Sequence, residues 1–265
     1  MISFQRGVVT GLMWFSFQIV AATGSAQIPP TGARTVALGG ATAGLPGVDG
    51  ARQNPAALWM EDRASLSLGF NQLFGMPDLE GRSADVAVPV GAAILSVGLS
   101  GFGFDVFSET ELSAGVAGKV RGLGVGLRAR GIQSRFDRYG SVSRLVLDAG
   151  WMYAQAPELV FGASIRNVGS GSSGIQIAIG LSAQTGTGLL MVVSTAMSRG
   201  TPADVRFGFE MKPVEVLALR LGGSLNPGLV TTGFGLIIGR LMIDVAFSLH
   251  ARLGLTPVIT LRFVK

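Results

Sequence analysis

The sequence of 265 residues has no cysteine, one histidine and few charged residues, which make up 14% of the chain. Without cysteine, neither disulfides nor thiolate metal sites can form. His250 is the single histidine, and hydrolytic triads and common transition-metal sites need more bases and ligands than it supplies. We therefore expect no catalytic residue, no metal, no cofactor and no enzymatic activity.

Long apolar runs are also missing after the first 26 residues, although 48% of the chain is hydrophobic. A membrane-spanning helix needs about 20 predominantly apolar residues. The nearest candidate, Ala84 to Phe104, is interrupted by Asp85, Pro89 and several glycines. Because a lipid-exposed backbone must satisfy its hydrogen bonds internally, only helices and closed barrels can span a membrane. The composition therefore favours a β-barrel.

The N-terminus has the pattern of a secretory signal peptide. Residues Met1 to Arg6 carry one positive charge, Gly7 to Ala22 is apolar, and Gly24 to Ala26 supplies small residues at the usual cleavage spacing. We predict a signal peptide over residues 1–26, cleaved near Ala26, and therefore an exported protein. The alternative is an N-terminal membrane anchor, for which the apolar run is short.

From Arg63 onward the sequence falls into segments of roughly ten residues that alternate between apolar and small or polar positions, which is typical of transmembrane barrels. The clearest segment is Leu241 to His250, where large apolar residues occupy every second position. About fourteen such segments predict an all-β fold, an antiparallel transmembrane β-barrel of about 14 strands over residues 63–265. An exported, soluble β-sandwich would require polar outer faces, which these strands lack.

The charged residues within these segments are predicted to face the barrel interior. A Lys or Arg facing lipid at the bilayer midplane costs about 2–4 kcal/mol. Opposite charges, such as Glu210 with Arg206, would neutralise each other and hold a plug, or alternatively select a ligand. The candidate lumen charges are Arg128, Arg130, Asp148, Arg166, Arg206, Glu210, Asp244 and Arg262.

The net charge of +5 raises the question of a nucleic-acid partner. The basic residues are instead scattered singly along the segments, and no basic patch is interleaved with aromatic residues. We therefore expect no nucleic acid as a partner. Trp59, Trp151 and Tyr153 are candidate anchors at the membrane interface, with ordinary packing as the alternative.

Thr31 to Trp59 is rich in Gly and Ala and has neither a helical nor a strand period. Such residues bury little apolar area, and Gly is costly to order, so this stretch cannot form its own core. We predict that residues 27–62 form a plug inside the barrel; a flexible linker is the alternative. Arg34 would either anchor the plug to Asp148, Asp244 or Glu210 or meet an anionic head group.

The stretch contains, in order, Arg34, Gly39-Gly40, Asp49 and Asn54-Pro55-Ala56. These motifs are similar to the N-terminal signature of the PorV/PorQ outer-membrane proteins, relatives of the FadL channels. Asn54-Pro55 makes a rigid corner, because Pro restricts the residue before it. Strand segments such as Gly124 to Arg128, Leu147 to Tyr153 and Phe161 to Gly169 also resemble that family. The plug residues that carry the resemblance are Arg34, Gly39, Gly40, Asp49, Asn54, Pro55 and Ala56.

The resemblance implies two functions. As a PorV/PorQ-type protein, the chain would be a non-enzymatic accessory or carrier for exported proteins in the bacterial outer membrane, as in type IX secretion. As a FadL-like protein, it would be a passive channel for hydrophobic small molecules. Its partners would be outer-membrane lipid together with secretion components or exported proteins, or with a hydrophobic ligand. Short loops weigh against both functions, because each uses loops to collect a ligand or bind a partner.

Overall fold

The computed structural model describes residues 32–169, 174–186 and 188–265. The predicted signal peptide, its cleavage site near Ala26 and the first five residues of the predicted plug lie outside the described residues. In the described part of the chain, no helix is long and apolar enough to cross a membrane.

Fourteen antiparallel strands close into one barrel, in which each strand pairs with its neighbours in sequence and β1 pairs with β14. The predicted antiparallel barrel of about 14 strands is therefore confirmed, and the β-sandwich alternative is wrong. The strands are β1 (Ser65–Gln72), β2 (Glu80–Val90), β3 (Ala93–Phe104), β4 (Phe107–Val120), β5 (Leu123–Phe136), β6 (Gly140–Ala156), β7 (Leu159–Val168), β8 (Gln176–Gln184), β9 (Leu190–Ser198), β10 (Asp204–Val214), β11 (Leu217–Ser224), β12 (Leu229–Ile238), β13 (Leu241–His250) and β14 (Gly254–Val264).

The two faces of the wall differ as the alternation predicts. In β13, Leu249 faces outward and is 51% exposed, whereas Asp244 faces the interior and is fully buried. In β5, Leu127 is 61% exposed and its neighbour Arg128 is buried. Successive side chains of a strand point to opposite faces, so the barrel has an apolar outer wall and a small or polar inner wall.

The two rims of the barrel differ in their connections. We call the rim where β1 begins and β14 ends the terminal rim; five of its six strand connections have two residues, and the β8–β9 connection has five. At the opposite rim, the loop rim, the connections have two to seven residues. Tight turns gather at one rim and the longer loops at the other.

The described part of the plug, residues 32–62, lies inside the barrel. It contains the short helix α1 (Ala33–Ala37) and the 3₁₀-helix η1 (Pro55–Met60); a second 3₁₀-helix, η2 (Leu73–Gly75), follows β1. Helix α1 packs against β11–β14, and η1 packs against β3–β6. The buried apolar clusters join plug residues to wall residues, for example Ala37 to Ala246 and Ala56 to Met152. The core is the plug–wall interface, so these residues do not form a linker.

Candidate functional site

The plug lies against a row of inward-facing glycines, which we call the glycine track. A Cβ atom at Gly208 would lie 2.7 Å from the Leu38 backbone, and one at Gly126 would lie 2.4 Å from the Ala56 nitrogen. No side chain fits at such distances, so glycine permits the plug backbone to touch the wall. The glycine track comprises the glycines at which an added Cβ atom would lie within 3.0 Å of a plug atom: Gly124, Gly126, Gly150, Gly162, Gly208, Gly222 and Gly233.

A buried ion-pair network, the plug network, ties the plug to the wall. Arg34 donates to both carboxylate oxygens of Glu210 at 2.7 and 3.0 Å and to Asp49 at 3.1 Å. Arg262 donates to the other oxygen of Asp49. Bidentate arginine–carboxylate pairs fix orientation as well as adding energy. The network comprises three arginines and three carboxylates: Arg34, Arg220 and Arg262 with Asp49, Glu210 and Asp244.

The two plug members of this network are held in their charged forms. Burial raises the pKa of Asp49, but Arg262 and Arg34 outweigh burial and leave this pKa below its usual value. Burial lowers the pKa of Arg34, but Glu210 and Asp49 outweigh burial and leave that pKa raised. Each charge is compensated inside the barrel, as buried charges require.

The Asn54-Pro55 corner clamps the plug to β6. The Asn54 side chain accepts from the Ala56 N–H at 3.1 Å and caps η1, whose first residue is Pro55. The same side chain donates to the Ala43 carbonyl at 2.8 Å and to the Trp151 carbonyl at 3.3 Å. One fully buried amide therefore joins two parts of the plug to the wall.

The remaining plug-motif glycines also contact the wall. The Gly39 N–H donates to the Thr231 hydroxyl at 3.1 Å, and the Gly40 carbonyl lies 3.4 Å from an Arg206 nitrogen. Both glycines have positive φ, +66° and +74°, a conformation that suits glycine. The motif thus marks points where the plug turns against β10 and β12.

One predicted ion pair is wrong, and Trp59 follows the packing alternative rather than the interface alternative. Arg206 pairs with Asp204 at 2.6 Å rather than with Glu210, because residues four apart on a strand are separated by about 13 Å. Glu210 instead faces Arg220 across the β10–β11 pair. Trp59 lies inside the barrel against Gly124, below the Lys119 ammonium group, and not at the membrane interface; Trp151 and Tyr153 do face outward and are exposed.

A cavity of about 220 Å³ lies between the plug and β1–β7. It extends from Leu58 of η1, near the terminal rim, to Arg144, near the loop rim. Four arginines on this side have carboxylate partners within 3.2 Å: Arg52 with Asp85, Arg128 with Glu111, Arg130 with Glu111 and Asp148, and Arg144 with Glu109. Of the predicted lumen charges, Arg128, Arg130 and Arg166 line this cavity, and Asp148 supports it from behind.

Several inward charges are not among the predicted ones. Glu109 and Glu111 lie on the same, inward face of β4 as Ser113, and Arg220 lies on the same, inward face of β11 as Gly222. The alternation along each strand could therefore have identified them as inward residues. Arg52 lies in the plug, which has no period, and no sequence signal identifies it. Among the described residues, no group of three or more His, Cys, Asp or Glu side chains is placed to hold a metal ion.

The fold is similar to that of solved membrane channels at low sequence identity. The toluene transporter TodX of Pseudomonas putida matches with a TM-score of 0.67 and 13% identity over 91% of this chain and 98% of TodX. The monoaromatic hydrocarbon channel CymD matches with a TM-score of 0.68 and 12% identity over 90% and 98%. The Acinetobacter baumannii outer membrane protein Omp33 is more distant, with a TM-score of 0.53 and 8% identity over 77% and 98%.

No protein-family model and no curated protein sequence matches the chain. The similarity to TodX and CymD shows a shared β-barrel fold. The PorV/PorQ resemblance gains no support from these comparisons.

Proposed function

We propose that this protein is a non-enzymatic outer-membrane channel through which small hydrophobic molecules pass when the plug shifts. The observation that carries the proposal is a closed barrel with an apolar outer wall, whose lumen holds a packed plug beside a cavity. The neighbours TodX, a toluene transporter, and CymD, a monoaromatic hydrocarbon channel, support this class of substrate.

The outer wall supports the membrane location. The outward residues Leu241 to Leu249 of β13 are apolar at every second position, and nine residues at a tilt near 40° span roughly 20 Å. An apolar band of about this height matches that of outer-membrane barrels. Because such barrels have short turns on the periplasmic side, we assign the terminal rim to the periplasm and the loop rim to the cell exterior.

The described plug closes the barrel toward the periplasm. Beneath the cavity, Leu58 of η1 packs with Ala87, Ile94 and Ala117 of the wall. A molecule that enters at the loop rim therefore meets η1 and the plug network before it reaches the terminal rim. Passage requires the plug to shift away from the glycine track.

The channel is tested by toluene uptake in a Gram-negative host that has no hydrocarbon channel of its own. We expect expression of the protein to accelerate uptake over an empty vector. Arg34→Ala is expected to change the rate, because this side chain joins the plug to Glu210. Uptake equal to that of the empty vector, for toluene and for a wider panel of apolar solutes, would exclude the channel.

The secretion function that the PorV/PorQ resemblance implies ranks behind the channel. The two FadL-like neighbours are described as a transporter and a channel, not as secretion components. Strand connections at the loop rim have at most seven residues, which leaves little surface for a protein partner.

A further inference from the structure

The charges on the two sides of the lumen do not balance equally. The plug network has three arginines and three carboxylates. Asp49 also lines the cavity, but it pairs with Arg34 and Arg262 of the plug network. Apart from Asp49, the described residues on the cavity side supply five arginines and four carboxylates. This set comprises Arg52, Arg128, Arg130, Arg144 and Arg166 with Asp85, Glu109, Glu111 and Asp148.

The surplus positive charge lies at Arg166. The other four arginines each have a carboxylate within 3.2 Å, whereas Arg166 forms no ion pair within the described ranges. Its Nη1 donates to the neutral side-chain oxygens of Gln53 and Gln176, the latter at 3.2 Å. Its Nε is buried and has no hydrogen-bond partner among the described residues.

Arg166 faces inward by the alternation of β7, and a β-bulge places the next residue, Asn167, on the same inner face. Between β6 and β7, Leu147 pairs with Val168 while Ala149 pairs with Ile165, so Arg166 and Asn167 together oppose Asp148. Both residues consequently line the cavity. Asn167 has φ +61° and its N–H donates to Asp148 at 2.9 Å. Bulges of this kind re-aim side chains beside functional sites.

The wall below Arg166 is mixed rather than wholly polar. Apolar side chains from the plug and from β2, β5 and β6 line the same cavity: Val48, Ala51, Leu58, Ala87, Ile132 and Val146. Since a water molecule occupies about 30 Å³ of liquid, the cavity has room for about seven waters or for one molecule the size of benzoate. The cavity therefore offers a cationic group and an apolar surface to one small ligand.

We propose that this cavity binds a small monocarboxylate, with the carboxylate on Arg166 and the apolar body against the apolar residues of the wall. A buried cation calls for an anionic partner, and the guanidinium fork matches a carboxylate. A monoanion would cancel the one excess positive charge on the cavity side, whereas a dianion would leave one excess negative charge. The inference deepens the proposed function, and it rests on that function only for the step in which the ligand crosses the membrane.

The test is calorimetric titration of the full-length, detergent-solubilised protein with benzoate in a chloride-free buffer of low ionic strength. Benzyl alcohol serves as the neutral analogue of similar size. We expect saturable binding of benzoate, no detectable binding of benzyl alcohol, and weaker apparent benzoate affinity when chloride is added.

Two variants locate the site. Arg166→Gln is expected to weaken benzoate binding at least about tenfold, as the loss of a charged hydrogen bond does. Gln53→Glu places a carboxylate beside Arg166 and is expected to abolish binding without lowering the melting temperature. Arg206→Gln is the matched control, because Arg206 pairs with Asp204 away from the cavity, and it should bind benzoate as the wild type does.

Absence of benzoate binding by the wild type, or wild-type affinity in Arg166→Gln, would overturn the inference. The outcome is distinct from that of the uptake experiment. Toluene uptake without benzoate binding would support the channel and exclude the carboxylate site. Benzoate binding without any uptake would support the carboxylate site and exclude the channel.

Discussion

At the scale of single residues, Asp49 is the plug carboxylate that pairs with Arg34 of the plug and with Arg262 of the wall. Its pKa is lowered in the folded protein because these two arginines outweigh the effect of burial. Because the Asp49 pKa is lower in the folded than in the unfolded protein, Asp49 stabilises the folded state when the pH is above its unfolded-state pKa, near 3.9. This stabilisation is lost as the pH falls through the folded-state pKa. Plug docking should therefore be firm at neutral pH and weaken in acid.

We predict that Asp49→Asn weakens plug docking by about 3–5 kcal/mol at neutral pH, because two buried arginines lose their shared partner. The variant should also lose part of the acid dependence below about pH 4. Hydrogen exchange of residues 32–62 as a function of pH measures both effects. Equal exchange in the variant and the wild type at pH 7 would show that Asp49 does not hold the plug.

A second residue-scale prediction concerns the glycine track. Gly126→Ala places a methyl group 2.4 Å from the Ala56 nitrogen and should cost about 1–3 kcal/mol through overpacking. Gly131→Ala is the matched control in the same strand, since the nearest atom to its added methyl lies 4.0 Å away. Protease sensitivity of the plug should rise in the first variant only; equal sensitivity in both would argue against close plug–wall contact.

At the scale of elements, the bulge between β6 and β7 depends on Asn167. At φ +61°, a non-glycine residue other than Asn or Asp is strained, and Asn167 also donates to the Gly174 carbonyl at 3.0 Å. Asn167→Ala should destabilise the barrel by about 1–3 kcal/mol, and Asn167→Gly by less, because glycine relieves the backbone strain. Urea unfolding compares the two variants. An equal loss of stability in both variants would show that the loss comes from the missing Asn167 side chain and not from backbone strain.

The elements could be predicted to different degrees for physical reasons. Each strand carries its own alternation, as in β13, and this is why the fourteen-stranded barrel follows from the sequence. The register between strands has no such local signal. The sequence alone therefore suggests Arg206, on the same strand, as the partner of Glu210, although its partner across the sheet is Arg220.

The site is less predictable than the wall. Strand phase identifies Arg128, Arg130 and Arg166 as inward residues, but no local signal shows that Arg166 contacts the neutral Gln53 of the plug instead of a carboxylate. The plug has no periodicity, so its path along the glycine track does not follow from its own sequence. The inward glycines of the strands contain part of the signal, because a strand interior has little other use for glycine.

At the scale of the whole molecule, the wall and the plug have separate roles. The closed sheet satisfies its own backbone hydrogen bonds and faces outward with apolar side chains, as a membrane-spanning barrel requires. The plug crosses the lumen from β11–β14 to β3–β6 and leaves a cavity beside β1–β7. The central claim is that this plug lies against the wall in the closed protein and must shift for a solute to pass.

A reversible cross-link between plug and wall tests this claim most directly. Ala37 of α1 and Ala246 of β13 lie in one buried cluster, and the natural chain has no cysteine to interfere. In the double variant Ala37→Cys/Ala246→Cys, we predict that oxidation forms the disulfide and reduces toluene uptake to the empty-vector level, and that a reductant restores it. Uptake at the wild-type rate through the fully cross-linked protein would contradict the account.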